Sequence, residues 1–301
     1  MKKKLIAVIG PTAGGKSALA LKIAKKFGAY LLSADSRQVY KGLDIGTNKD
    51  LGVWRDKVFF VDGIAEYLID TAEPDENYTV ENWRKEVRLV IKKRGSDLPI
   101  LVGGTGFYLS AIIDNFSFPD LVTSDLREAL QTRLNVEGPE ELIKEMLKID
   151  PLLEEKVDLR NPRRLLRSAE ILFATNLPLP ALESKPIYDV LQIGVCPDRE
   201  VLYKKIDQRV DQMLNLGLLE EVRSLMARGF TSETPAMTGI GYRQLVSYLN
   251  GEISLERAIE LIKRDSRRYA KRQLTWFKRD PRIHWVKTEK EAFSLVKEHL
   301  K

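Results

Sequence analysis

A lysine and a hydroxyl set behind a run of glycines can hold a phosphate. The stretch Gly10-Pro11-Thr12-Ala13-Gly14-Gly15-Lys16-Ser17 has that make-up, with the spacing G-x-x-x-x-G-K-[ST]. Gly14 and Gly15 let backbone N–H groups curl around an anion without Cβ clashes. Lys16 adds a full positive charge, and Ser17 offers a hydroxyl to Mg2+. Two further clusters can do chemistry: Ser33-Ala34-Asp35-Ser36-Arg37-Gln38 and Gly103-Gly104-Thr105-Gly106. An aspartate beside a bound phosphate ester can act as a base for an incoming nucleophile. A Walker-B-like aspartate could come from Asp62, after Val58-Phe59-Phe60-Val61, or from Asp70. Neither is persuasive.

Each cluster needs an element to present it. Strand-like apolar runs occur at 5–9, 29–32, 58–61, 99–102 and 190–196, with helical stretches between most of them. This alternation predicts an α/β fold: a P-loop NTPase-like parallel sheet flanked by helices. Ligands in such sheets bind beyond the carboxyl ends of the strands, where all three clusters fall. From about 115 to 186 the pattern changes. A linker at 118–120 leads to helices near 124–134, 139–148 and 162–173, and prolines at 178, 180 and 186 punctuate the exit. The expected domains are a core of 1–117 with 188–301 and a helical insertion of 118–187. A long helical pattern at 201–228, with Gly217 inside it, precedes helices near 242–250 and 255–278.

With 44% hydrophobic residues the chain has ample material for a core. One cysteine and two histidines exclude an internal disulfide framework and a zinc module. Cys196, after the apolar run, reads as a small core residue. The N-terminus has too short an apolar run for a signal peptide or a membrane span, so a cytoplasmic protein is expected. The net charge is +6, and 263–282 carries nine basic residues against two acidic ones. Arg264, Arg268 and Arg272 are spaced by four, and Arg267 and Lys271 form a neighbouring row. Ile262, Tyr269, Gln273 and Trp276 occupy another face, suited to docking on the body; Trp276 and Phe277 could stack a base but read rather as core. A second basic cluster, Arg160, Arg163, Arg164 and Arg167, lies in the insertion. Such clustering is the footprint of a polyanion partner. Three functions fit the residues: a small-molecule or nucleotide kinase, a transferase acting on nucleic acid, or a nucleotide-switched RNA-binding protein.

The set Gly10–Ser17, Asp35-Ser36-Arg37-Gln38-Val39-Tyr40, Gly42-Leu43-Asp44-Ile45-Gly46-Thr47, Gly103-Gly104-Thr105-Gly106, Asn161-Pro162-Arg163-Arg164-Leu165 and Gly241-Tyr242-Arg243-Gln244 closely resembles the bacterial tRNA dimethylallyltransferases, also called tRNA isopentenyltransferases. The motifs keep the family's order over about 5 to 285. The resemblance implies transfer of a dimethylallyl group from dimethylallyl diphosphate to N6 of adenosine 37 of tRNA, beside the anticodon. Gly10, Pro11, Thr12, Ala13, Gly14, Gly15, Lys16 and Ser17 would then cradle the diphosphate leaving group, with Ser17 on Mg2+. It further implies that Asp35 takes the proton from the adenine amine. Thr105 would contact the diphosphate near the scissile oxygen, and Arg243 would neutralise its charge. By the same resemblance, Asp35, Ser36, Arg37, Gln38 and Thr105 line the tRNA side. Arg127, Arg163, Arg164 and Arg167 grip the anticodon stem-loop, and Arg264, Arg268, Lys271 and Arg272 add backbone contacts. Eukaryotic relatives carry a C-terminal zinc finger. No Cys/His cluster occurs here, so the bacterial type, without zinc and acting as a monomer, is expected. Ser17 stands where many relatives have Thr, and both present a hydroxyl.

Overall fold

The computed structural model describes residues 2–116, 124–180 and 184–301. The chain divides into two compact units, Met1–Asn115 with Pro186–Lys301, and Phe116–Lys185. The expected linker at 118–120 lies outside the described residues.

In the larger unit, eight strands form one sheet in the order β3-β4-β5-β2-β6-β1-β7-β8. The strands are β1 (Lys3–Ile9), β2 (Ala29–Ala34), β3 (Val53–Arg55), β4 (Val58–Val61), β5 (Ile64–Tyr67), β6 (Leu98–Gly103), β7 (Tyr188–Val195) and β8 (Ile283–Val286). The central strands β2, β6, β1 and β7 are parallel, and apart from Ser33 and Gln192 their buried residues are apolar or glycine, as suits strands covered on both faces. The sheet is nonetheless mixed. The run expected as another parallel strand, 58–61, is β4, antiparallel to both neighbours. Local turn chemistry decides this. Asp62 and Gly63 both have positive φ and close a two-residue hairpin, as do Asp56 and Lys57 on the other side of β4.

One face of the sheet buries Leu5, Ala7, Leu32 and Leu101 against α2 (Val80–Lys93) and α3 (Gly106–Ile113). The other buries Ile6, Val8, Leu31 and Val102 against α1 (Lys16–Phe27) and α12 (Glu289–Leu300). The helical pattern at 201–228 breaks into α8 (Arg199–Asn215) and α9 (Leu218–Ala227), because Gly217 takes φ 101°, outside the helical region. Two helices follow them, α10 (Tyr242–Leu249) and α11 (Leu255–Phe277).

The smaller unit packs α4 (Ser124–Glu137), α5 (Pro139–Ile149), the short α6 (Leu153–Lys156) and α7 (Pro162–Thr175) around Leu130, Leu142, Met146, Leu165 and Leu172. Asn161 caps α7 by accepting from the N–H groups of Arg163 and Arg164 at 3.1 and 3.3 Å, and Pro162 supplies the first helical residue.

Candidate active site

The three polar clusters follow β1, β2 and β6, which are adjacent, so their loops meet at one edge of the sheet. Gly10 is obligatory there: a Cβ would collide with the carbonyl of Val195. The loop then turns through Ala13 at φ 57° and Gly15 at φ 93°, and the Gly14 N–H closes it onto the Pro11 carbonyl at 3.1 Å. An alanine held in the left-handed region is strained, and such alternation turns successive N–H groups into one concavity. The N-terminus of α1 opens on that concavity and favours an anion. Lys16 Nζ donates to the Pro11 carbonyl at 2.7 Å. Burial lowers its pKa to about 8, while Asp35 pulls it up and Arg209 pushes it down. Lys16 thus sets a positive charge at the mouth of the loop, which suits a phosphate.

Asp35 sits at the end of β2. Its Oδ1 accepts from the N–H groups of Arg37 at 2.8 Å and Gln38 at 3.4 Å, fixing the carboxylate on its own turn. Thr105 Oγ1 accepts from the Ser36 N–H at 3.2 Å, tying the β6 cluster to the β2 cluster. Gln273 of α11 joins the other pair. Its Oε1 accepts from the Thr12 N–H at 2.8 Å, and its Nε2 donates to the Gly104 carbonyl at 3.0 Å. Gly104 leaves room for that amide, with which a Cβ would clash.

Beside these loops lies a cavity of about 290 Å3. Thr12, Asp35, Arg209 and Arg243 give it a polar wall, while Ile206, Val210, Met213, Leu218, Ile240 and Ile262 give it an apolar one. Arg209, on α8, donates to Thr12 Oγ1 at 3.1 Å. Burial lowers its pKa, and Asp35 and Asp50 oppose the shift. Its Nε is buried without a partner among the described residues. Arg209 was not picked out from the sequence. The available signal was a lone arginine flanking the apolar stripe Leu202, Ile206, Val210 of its helix. Lys16, Ser17 and Thr105 are not among the cavity's lining residues.

Several expected contacts are committed elsewhere. The Arg37 guanidinium lines the cavity yet donates to the Pro235 carbonyl at 2.7 Å and to Thr238 Oγ1 at 3.1 Å. Gln38 bridges Ser33 to the carbonyls of Thr47 and Asn48. Arg243 donates to Asp265 at 2.7 Å, and Arg264 pairs with the same carboxylate. Arg267 pairs with Asp207, so the basic face of α11 is partly neutralised by α8. Arg127 and Arg167 both pair with the buried Glu170. Arg163, Arg164, Arg268, Lys271 and Arg272 are exposed. Trp276 is not core: it is 44% exposed and lies against Gly106, whereas Phe277 is buried. Cys196 is half-buried rather than core, donating from Sγ to the Pro197 carbonyl at 3.2 Å. Asp62 pairs with Lys25 in the β4–β5 turn, and Asp70 pairs with Lys49.

A parallel sheet core, a glycine loop opening a helix, and lysine and arginine around it define a phosphate-binding α/β protein of the P-loop type. The chain belongs to the IPP transferase family, whose model matches residues 38–280. It is 43% identical over 309 residues to the tRNA dimethylallyltransferase of Carboxydothermus hydrogenoformans, covering 100% of this chain and 97% of that one. It is 42% identical to that of Pelotomaculum thermopropionicum, covering 97% and 93%. The crystal structure of a tRNA isopentenylpyrophosphate transferase from Bacillus halodurans superposes with a TM-score of 0.70 at 36% identity, covering 99% of this chain and 95% of that one. A eukaryotic dimethylallyltransferase acting on tRNA superposes with a TM-score of 0.76 at 28% identity, covering 91% and 69%.

Proposed function

We propose that this protein, a prenyl-transferring transferase by family, moves the dimethylallyl group of dimethylallyl diphosphate onto N6 of adenosine 37 in the anticodon stem-loop of tRNA. The observation that carries this reading is the two-walled cavity. A polar wall of Thr12, Asp35 and Arg209 suits a diphosphate ester and a base, and the aliphatic wall suits a five-carbon chain. A P-loop recognises linked phosphates by backbone N–H, and nothing in it demands a nucleoside.

The reaction breaks the allylic C–O bond and leaves its electron pair on diphosphate. The N6 lone pair forms the new C–N bond, and Asp35 takes the amine proton. Charge developing on the leaving group is met by the loop N–H groups, Lys16 and Arg209, which are already in place. Arg243 lies further along the same wall. Thr105 orients the Asp35 turn through its bond to Ser36. The Ser17 hydroxyl, in the first turn of α1 beside the glycine loop, is an oxygen donor that fits a hard cation. Among the described residues no group of three His, Cys, Asp or Glu could hold a metal alone. Mg2+ would therefore be held by Ser17 and shared with the diphosphate, where it would neutralise the leaving charge. The adenine must leave its stack to reach Asp35, at a cost of a few kcal/mol that is smaller in a loop. Exposed Arg268, Lys271 and Arg272, and Arg163 and Arg164 of the smaller unit, supply phosphate contacts. Among the described residues no helix is long and apolar enough to cross a membrane.

The test is to incubate the protein with unmodified tRNA and either dimethylallyl diphosphate or ATP, then weigh the tRNA. A gain of one dimethylallyl unit with the first donor alone is expected. A phosphate gain or ATP consumption would favour a kinase, and no gain with either would favour a tRNA-binding protein.

A further inference from the structure

Two glycine-bearing stretches line the cavity, Gly46-Thr47 after β2 and Gly239-Ile240-Gly241 before α10. Neither Gly46 nor Gly239 is glycine for the sake of its backbone. Gly46 does not adopt a positive φ, and Gly239 has φ −62° and ψ 156°, which any residue can take. Space is the reason. A Cβ on Gly46 would collide with the ring of Tyr242, and one on Gly239 would press on the same ring at 3.3 Å. Tyr242 is 1% exposed and does not itself line the cavity, so its ring stands behind the wall that the two glycines form. We propose that Tyr242 determines donor specificity: its ring is the backstop that limits the cavity to a five-carbon prenyl chain.

The wall that this ring supports belongs to the hydrocarbon end. Ile240 lies between Gly239 and Gly241, and a Cβ on Gly241 would meet Leu218 at 3.8 Å. Ile240 and Leu218 are both members of the aliphatic wall. The carbon under attack must meet the amine at Asp35, so the chain has to run close to the Asp35 turn. Arg37 of that turn has its Cδ 3.6 Å from where a Gly239 Cβ would stand.

A backstop works only if it is fixed. Tyr242 Oη donates to Glu221 of α9 at 2.6 Å. The same carboxylate accepts from the N–H groups of Asp44, Ile45 and Gly46 at 3.0, 2.7 and 3.1 Å. One carboxylate thus clamps the ring to the loop that the ring supports. Burial, with the Glu221 charge beside it, holds the Tyr242 phenol well above its ordinary pKa, so it keeps the proton it donates. The second stretch is tied down by Arg37, which donates to the Pro235 carbonyl and to Thr238 Oγ1. A glycine has no side chain to swing aside into another rotamer. The wall therefore yields only if the ring leaves, and it rejects a longer chain by overlap rather than by lost contact.

This inference rests on the donor reading above, and one competition separates the two. Dimethylallyl diphosphate and geranyl diphosphate are supplied together with unmodified tRNA, and the tRNA is weighed. The ratio of the two products reports relative kcat/KM and does not depend on how much of a variant is folded. Wild type should give the five-carbon product almost alone. Tyr242→Ala should shift the ratio toward the ten-carbon product about ten- to a hundredfold, while Tyr242→Phe, which keeps the ring, should stay within about threefold of wild type. Gly46→Leu added to Tyr242→Ala sends a side chain into the vacated space and should restore the preference for the shorter chain. A merely structural Tyr242 would lower both products together. Should Tyr242→Ala fail to fold or turn over, Tyr242→Leu decides by the same ratio. An unchanged ratio, a preference that Gly46→Leu does not restore, or a wild type that uses both donors alike overturns the inference alone. No prenyl gain from either donor by wild type overturns the donor reading with it.

Discussion

Asp35 is aimed by its own backbone turn, since both N–H groups that fix it go to Oδ1. An exocyclic amine conjugated to a purine is a poor nucleophile, so a carboxylate positioned to take its proton matters most as the C–N bond forms. Asp35→Ala should lower turnover about 10²–10⁴-fold in single-turnover assays, with tRNA affinity little changed; an unaltered rate would remove Asp35 from the role. Arg209 acts on the other partner. Losing a preorganised donor to a leaving oxyanion costs about 10²–10³-fold, so Arg209→Ala should lower kcat by that order and weaken inhibition by inorganic diphosphate. A full-rate Arg209→Ala enzyme would show that Lys16 and the loop suffice. The two residues differ in how visible they were. Lys16, Asp35 and Thr105 belong to short contiguous motifs. Arg209 reaches the same place from far along the chain, through a contact with Thr12 that no local pattern encodes.

At the scale of elements, β5 carries a cost. Burial, with the nearby Asp50 charge, pushes Glu66 up to about 8 from an ordinary 4.5. The folded chain therefore holds this proton more tightly than the unfolded one. The associated stability is complete below pH 4.5 and is lost as pH climbs toward 8. Glu66→Gln should thus raise the melting temperature of the metal-free protein at pH 8 and leave it nearly unchanged at pH 4.5; a gain of equal size at both would point to packing instead. The central strands and the amphipathic helices were legible because periodicity reports burial directly. The antiparallel β3–β4–β5 edge was not, because its strands are only three or four residues long and their direction is set by positive-φ turns at Asp56-Lys57 and Asp62-Gly63. Asp62 has the composition of a Walker-B residue and the geometry of a hairpin. The break at Gly217 followed the same logic: an apolar pattern runs through a glycine without revealing that its φ ends the helix.

For the whole molecule, the excess positive charge is gathered on α11, but its sequence overstates what is on offer. Arg264 and Arg267 are paired with Asp265 and Asp207, leaving Arg268, Lys271 and Arg272 as the exposed cations of the central turns. Arg272 also lines the cavity, so the cleaner test of backbone contacts uses the other two. Reversing Arg268 and Lys271 to Glu should weaken tRNA binding across sequences and flatten the slope of log K against log salt by roughly 1–2, with the diphosphate site intact. An unchanged slope would place the tRNA on another face. The claim on which all scales depend is that the glycine loop holds the diphosphate of a prenyl donor. Crystals grown with a non-hydrolysable dimethylallyl thiolodiphosphate test it most directly. The account predicts phosphorus density against Lys16 and the Gly14 and Gly15 N–H groups, with the allylic carbons turned toward the aliphatic wall of the cavity. Phosphates bound away from Lys16, or a nucleoside triphosphate taking that place in competition, would contradict it.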